Sequence, residues 1–244
     1  MYKLILAEIR KVRWFLIFLL ITMDVAASYV LAAGSVRSLT DYFAPNWHTL
    51  YFQAVSFHGM FLLPMFGGIF AGFLCFYEHK NGAWKQLLTM PFPRWKIYFV
   101  KFVMLLILLL ILQLVFLAGY LVTGKLIQAE DAIPWKTVLT GVFGGWLACF
   151  PLGMLQIILS TRFKSMGTAL LFSISMVIPN IVITGLPSVL GAWFPFAPPY
   201  YAMFPQGMNL SPNLELLPFT VILTVTFLVY FALGLKSFIC REWV

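Results

Sequence analysis

Six runs of apolar residues set the rhythm of the chain, at 14–34, 53–76, 102–123, 138–160, 166–186 and 216–236. About 20 consecutive apolar residues in a helix cross roughly 30 Å of hydrocarbon, so the pattern predicts six transmembrane helices. The fourth and fifth are separated only by a tight charged turn, Thr161 to Ser165. Two segments follow a different pattern. Tyr2, Ile5, Ile9 and Val12 share one helical face, while Lys3, Arg10 and Lys11 lie elsewhere. That predicts an interfacial helix over 1–13, with its apolar side in lipid. In 77–101, Trp84, Leu87 and Leu88 recur at helical spacing, with Lys80, Lys85 and Gln86 turned away. Asn81-Gly82 supplies a turn or helix start, Pro91-Phe-Pro93 ends the short helix, and a second amphipathic piece, Arg94 to Lys101, runs into the third span. The expected fold is an all-α polytopic membrane protein, one transmembrane domain over 1–244, with a polar helix-turn-helix between spans two and three.

Composition agrees with this reading. Hydrophobic residues make up 62% of the chain and charged ones 10%, where soluble domains carry about 25% charged. Trp14 to Ala33 continues for a full span with no prominent small-residue cleavage site, so no cleavable leader is expected. The net charge of +8 becomes a topology signal once its distribution is read. With both termini inside, segments 1–13, 77–101, 161–165 and 236–244 hold 13 of the 16 Lys and Arg residues. By the positive-inside rule both termini and the 77–101 loop are cytoplasmic, with anionic lipid as an obvious partner. Nucleic-acid binding would need a basic groove on a soluble face, and no segment is large enough for one. Cys75, Cys149 and Cys240 are scattered, so neither disulfides nor a zinc site is indicated. His48, His58 and His79 fall in three different environments, which argues against any metal site.

The 77–101 loop admits two readings. It is an interfacial anchor carrying positive-inside charge, or a docking element for a cytoplasmic partner. The proline elbow favours docking, since a plain anchor needs none. Glu78, Gly82, Trp84, Lys85, Leu87, Leu88, Pro91 and Arg94, followed by Ile97 and Lys101, form a pattern that resembles the cytoplasmic loop of ABC-2-type ABC transporter permeases. In particular it is similar to the small permease subunits of lantibiotic (bacteriocin) immunity transporters, and the likeness extends to length, span number, the basic N-terminal helix and a long outer segment before the last span. The resemblance implies that these eight residues form a coupling helix seated on a separate ATPase, with 1–13 as an elbow helix nearby. It further implies a soluble ABC ATPase dimer, a second permease subunit (identical or related), a bacterial cytoplasmic membrane, and export of membrane-active peptides.

The chain's own chemistry is consistent with hydrolysis elsewhere. Gly119 to Leu126 matches GxxxxGK, but Leu126 stands where a Ser or Thr would hold Mg²⁺. The segment also closes a span and faces outside. No catalytic group and no cofactor are therefore expected in this chain, with ATP and Mg²⁺ belonging to the partner. An intramembrane hydrolase would need paired catalytic groups at one depth, and Asp24 is the only acid within an expected span. A sensor or anchor protein is the remaining non-transport class, and lipid, glycan or drug are the other cargoes of the transport class.

Buried polar residues are the usual functional candidates within a membrane. Asp24 lies ten residues past Trp14, about 15 Å deep, and is either a strut between spans or part of a substrate path. His58, 19 residues above Tyr77 and hence about 28 Å up, is expected at a different depth. Gln113, Gln156 and Asn180 are further candidates for interhelical bonds or the pathway. Gly68-x-x-x-Gly72 and Gly141-x-x-x-Gly145 predict close helix packing, within the chain or against a second permease half. Pro64, Pro151 and Pro179 predict kinks. Glu8 is expected to pair with a basic residue of the ATPase or with Lys11 or Arg10. Segment 187–215 has no Lys or Arg and six prolines. It is either an aromatic belt or a pair of short re-entrant or interfacial helices capping the outer end.

Overall fold

A computed structural model describes residues 2–38, 45–89, 91–163, 165–185, 189–205 and 215–240. Lys164, Arg241, Asn209 and the other outer-segment positions 187–188 and 206–214 lie outside the described residues. The described residues hold helices and a single isolated bridge between Asn46 and Glu130. In chain order the helices are α1 (Tyr2–Lys11), α2 (Trp14–Ser38), α3 (Trp47–Phe57), α4 (Leu63–His79), α5 (Ala83–Thr89), α6 (Arg94–Leu126), α7 (Trp135–Arg162), α8 (Met166–Thr184), α9 (Pro198–Met203) and α10 (Leu216–Ile239). A π turn at His58–Leu62 joins α3 to α4. The two form one 33-residue rod, and among the described residues six helices are long and apolar enough to cross a membrane. Each coincides with one of the six expected spans.

The apolar pattern explains how these helices assemble. A helix in lipid gains little from burying leucine, so association depends on close packing and interhelical polar bonds. Glycine provides the first. A Cβ at Gly119 would lie 2.6 Å from Val25 and 2.8 Å from Tyr29, and one at Gly124 would fall inside the Trp47 ring. The GxxxxGK stretch is thus uninterrupted helix, and its two glycines admit α2 and α3 against α6. Gly68 faces Ser173 of α8 and Gln156 of α7, while Gly141 and Gly145 face Tyr51 and Met203. Gly68, Gly141 and Gly145 therefore pack against other helices of this chain.

The second contribution comes from buried polar side chains. Pro64 has no N–H to offer the preceding turn, and the Asn180 side chain donates to Met60 O at 2.6 Å. Ser173 Oγ donates to Gln156 Oε1 at 2.9 Å, Tyr29 to Phe116 O at 2.9 Å, and Gln113 Nε2 to Met203 Sδ at 3.3 Å. Pro151 and Pro179 sit inside α7 and α8, which both continue through them.

In the outer segment, Val189–Trp193 forms a 3-10 turn and α9 follows. α9 is not a surface belt: Pro198, Pro199, Tyr200, Tyr201 and Met203 are buried. Tyr51 Oη donates to Met203 O at 3.0 Å and Tyr201 Oη to Ile183 O at 3.2 Å, pinning α9 between α3, α7 and α8.

Replacing Gly124 by Ala must displace Trp47, and overpacking of this kind costs about 1–3 kcal/mol. Gly34 has open space around it, and Ala favours helix there. Thermal unfolding of the purified chain in detergent is expected to shift down for Gly124→Ala and to stay level or rise for Gly34→Ala.

Candidate functional site

One end of the bundle gathers α1, the end of α4, α5, the start of α6, and the ends of α7 and α10. It is the end that carries most of the Lys and Arg. α4 ends at His79, a 3-10 turn spans Lys80–Gly82, and Gly82 has φ +68°. That left-handed backbone lets the chain reverse into α5. α5 then divides as its spacing predicts: Trp84 and Leu87 are buried and Leu88 half-buried, while Lys85, Gln86 and Thr89 are exposed. Pro91, Pro93 and Arg94 are exposed as well, with Pro93 as the N-cap of α6.

Beneath α5 lies a network of four charges. Lys101 of α6 has no exposed surface. Its ammonium donates to Glu8 Oε2 at 3.2 Å and to Leu74 O at 2.6 Å, and lies 3.1 Å from Glu78 Oε1. Lys11 approaches both acids from the other side, 3.0 Å from Glu8 Oε1 and 2.9 Å from Glu78 Oε1. Two cations and two anions alternate, so the cluster is neutral while each member is held by opposite charges. The Lys101 ammonium also lies 5.4 Å from the Trp84 ring centroid, within cation–π range. Glu8 thus pairs inside the chain, with Lys11 as one expected option and with Lys101 in place of Arg10.

Two further bonds tie α5 to the bundle. Trp84 Nε1 donates to His79 Nδ1 at 3.3 Å, and His79 Nε2 lies 2.7 Å from Ser160 O. An indole N–H only donates and a carbonyl only accepts, so His79 is bound as the neutral tautomer protonated on Nε2. Phe238 of α10 packs edge-on against Trp84, and Arg94 Nη1 donates to Ile239 O at 2.7 Å, capping α10.

The eight residues expected to couple to a partner therefore divide into two groups. Gly82, Lys85, Pro91 and Arg94 face outward. Glu78, Trp84 and Leu87 are 2%, 4% and 8% exposed, and with Leu88 they fasten the loop from within. Glu8, Lys11, Lys101 and His79 complete the site, and their spacing along the chain gives no sign that they form a unit. Lys101 carries a readable signal, since a lysine flanked by Phe99, Val100, Phe102 and Val103 needs a buried counter-charge.

Asp24 and His58 require a correction. They are expected at different depths, yet His58 Nδ1 lies 2.9 Å from Asp24 Oδ2, and neither side chain is exposed. The depth reckoning assumed upright helices. A 33-residue rod is about 50 Å long, so it must tilt or protrude, and length along its axis overstates height. The contact is close but lacks hydrogen-bond alignment, since neither the carboxylate nor the ring has a hydrogen-bond partner among the described residues. His58 also stacks on Phe116 at 4.2 Å. Gln113, Gln156 and Asn180 are 0–1% exposed. All five side chains are buried between helices.

At the opposite end, a groove of about 880 Å³ opens between α7, α9 and α10. Its walls are mainly apolar, including Leu147, Met203, Phe219 and Leu223, with His48 and Lys136 among the lining residues.

Truncating one partner of a buried ion pair costs about 3–5 kcal/mol, because the other charge is left uncompensated. Lys101→Met is expected to lower the thermal stability of the detergent-solubilised chain by an amount of that order, whereas Lys85→Ala on the exposed face changes it by less than about 0.5 kcal/mol.

The model of ABC-2 family transporter proteins matches residues 4–180, from α1 into α8. No curated protein and no solved structure gives a significant match. With more than half its length matched, including the whole charge network and α5, the chain belongs to the ABC-2 family of transporter proteins.

Proposed function

We propose that the chain is the transmembrane subunit of an ATP-driven exporter that removes lantibiotic-type antimicrobial peptides from the membrane. Membership of the ABC-2 family makes it a membrane transport component. The observation that carries the further reading is the seating of α5. A seven-residue helix presents Lys85, Gln86 and Thr89 outward, while Trp84 contacts Lys101 of α6 and Phe238 of α10 and Leu87 is buried. A short helix with an adherent inner face and a polar outer face suits a surface that receives force from a soluble partner. In this reading the partner is an ABC ATPase dimer holding ATP and Mg²⁺, and a second permease subunit completes the transport path.

The loop sequence and overall form, which resemble lantibiotic immunity permeases, support a peptide cargo. The largely apolar groove between α7, α9 and α10 supports an amphipathic one. Lipids, glycans and drugs are the alternative cargoes within the same mechanism. The basic end faces the cytoplasm in this account, by the distribution of Lys and Arg.

The test is gentle purification of the tagged chain from its native membrane, with ATPase activity measured in the eluate. An ATP-hydrolysing subunit is expected to accompany it. Lys85→Glu is expected to reduce the recovered ATPase about tenfold, as loss of an interface contact worth roughly 1.4 kcal/mol would, without changing the chain's thermal unfolding. In cells, the same variant is expected to lose tolerance to the lantibiotic. Recovery of the chain without any ATPase would contradict the mechanism, and unchanged peptide tolerance in cells lacking the chain would contradict the cargo.

A further inference from the structure

A cleft of about 260 Å³ opens at the basic end between the α1–α2 junction and the end of α4. Its rim and its floor differ in chemistry. The rim holds Arg13, Tyr77 and Lys80, and the floor is apolar, formed chiefly by Leu16, Phe73 and Phe76. Lys11 and Glu8 also border it, but both are already engaged in the charge network. Arg13 donates through Nε to Tyr77 Oη at 2.8 Å, an arrangement that orients the guanidinium and leaves its terminal nitrogens for another acceptor. Among the described residues, neither Arg13 nor Lys80 has a carboxylate within ion-pair distance. Phe76 is 37% exposed, so the floor continues onto the outer surface of the bundle, where a membrane-spanning chain meets lipid.

We propose that this cleft binds the headgroup of one anionic phospholipid. The phosphate sits between Arg13 and Lys80, and the acyl chains run over Leu16, Phe73 and Phe76. An arginine fork and an ammonium together suit a phosphodiester, giving charge-assisted bonds to its two free oxygens. The apolar floor distinguishes a lipid from a free phosphate, which would leave that surface unused. A bound lipid would bridge α2 and α4 beside the charge network, so the site belongs to the region that holds α1 in place. The proposal does not depend on what the protein transports.

The test uses the full chain purified in detergent and titrated with phosphatidylglycerol or phosphatidylcholine of matched chains, with bound lipid counted by native mass spectrometry. The expected result is one retained phosphatidylglycerol, bound about tenfold or more tighter than phosphatidylcholine, since each Lys or Arg near an anionic headgroup strengthens binding about fivefold and the cleft supplies two. The preference is expected to vanish in Arg13→Ala/Lys80→Ala and to survive in Lys3→Ala/Arg10→Ala, which removes equal charge from α1 outside the cleft. Equal loss in both double variants would overturn the site in favour of general surface charge, and no preference in the unaltered chain would overturn it outright. Displacement of the lipid by millimolar inorganic phosphate would likewise overturn it, showing a free-phosphate site. As a check that needs no variant, a photoreactive phosphatidylglycerol is expected to label peptides containing Leu16 or Phe73–Phe76, and labelling confined to other segments would contradict the assignment.

Discussion

A lysine ammonium placed among apolar helices must be surrounded by counter-charge, because its bare burial costs several kcal/mol. Lys101 sets that requirement for the basic end of this protein. Its position on the inner face of α6 is enclosed by the bundle, so Glu8 and Glu78 are drawn to it from two other helices. Those acids in turn hold Lys11. The outcome is mechanical as well as electrostatic. α1 is fixed against α6, the last turn of α4 is fixed above it, and Trp84 lies over the same ammonium. A surface helix, a surface loop and two spans thus share one set of charges.

From this cluster, rigid connections lead into the rest of the molecule. His79 links α4 and α5 to α7 through Ser160 O, Arg94 links the start of α6 to the end of α10, and Arg162 Nε donates to Ser237 Oγ between α7 and α10 at 3.2 Å. These bonds connect the α5 region with α4, α6, α7 and α10. At the far end the same helices hold α9 by glycine niches and single hydrogen bonds from Tyr51 and Tyr201. That end has no ion-pair network among the described residues, and an apolar groove opens beside it. The two ends thus differ in what holds them: alternating charges at one, close packing and single hydrogen bonds at the other.

Much of the architecture was legible in the sequence because membrane length and apolar runs are strict constraints. The six spans, the inward face of α5 and the turn at Gly82 all follow from periodicity and from the need for a left-handed residue. The small-residue motifs announced close contacts, although only the structure identifies their partners: Tyr51, Met203, Ser173 and Gln156. Pairings between distant segments were not legible. Asp24 and His58 lie 2.9 Å apart although they sit on separate helices, and residue counting along separate axes carries no information about how those axes are inclined to each other. Glu8 and Lys101 are 93 residues apart, so nothing local announces their contact. Glu78 and Trp84 were read from the loop pattern as coupling residues, and the structure shows them supporting the loop from inside.

Glu8 and Lys101 act together to hold the surface helix to the bundle. A double-mutant cycle on thermal unfolding, with Glu8→Gln, Lys101→Gln and the pair in the detergent-solubilised full chain, tests it most directly. The account predicts a coupling energy above about 1 kcal/mol, the double variant being much less destabilised than the sum of the singles. Additivity within about 0.5 kcal/mol would mean that the two charges do not sense each other, and would contradict the account.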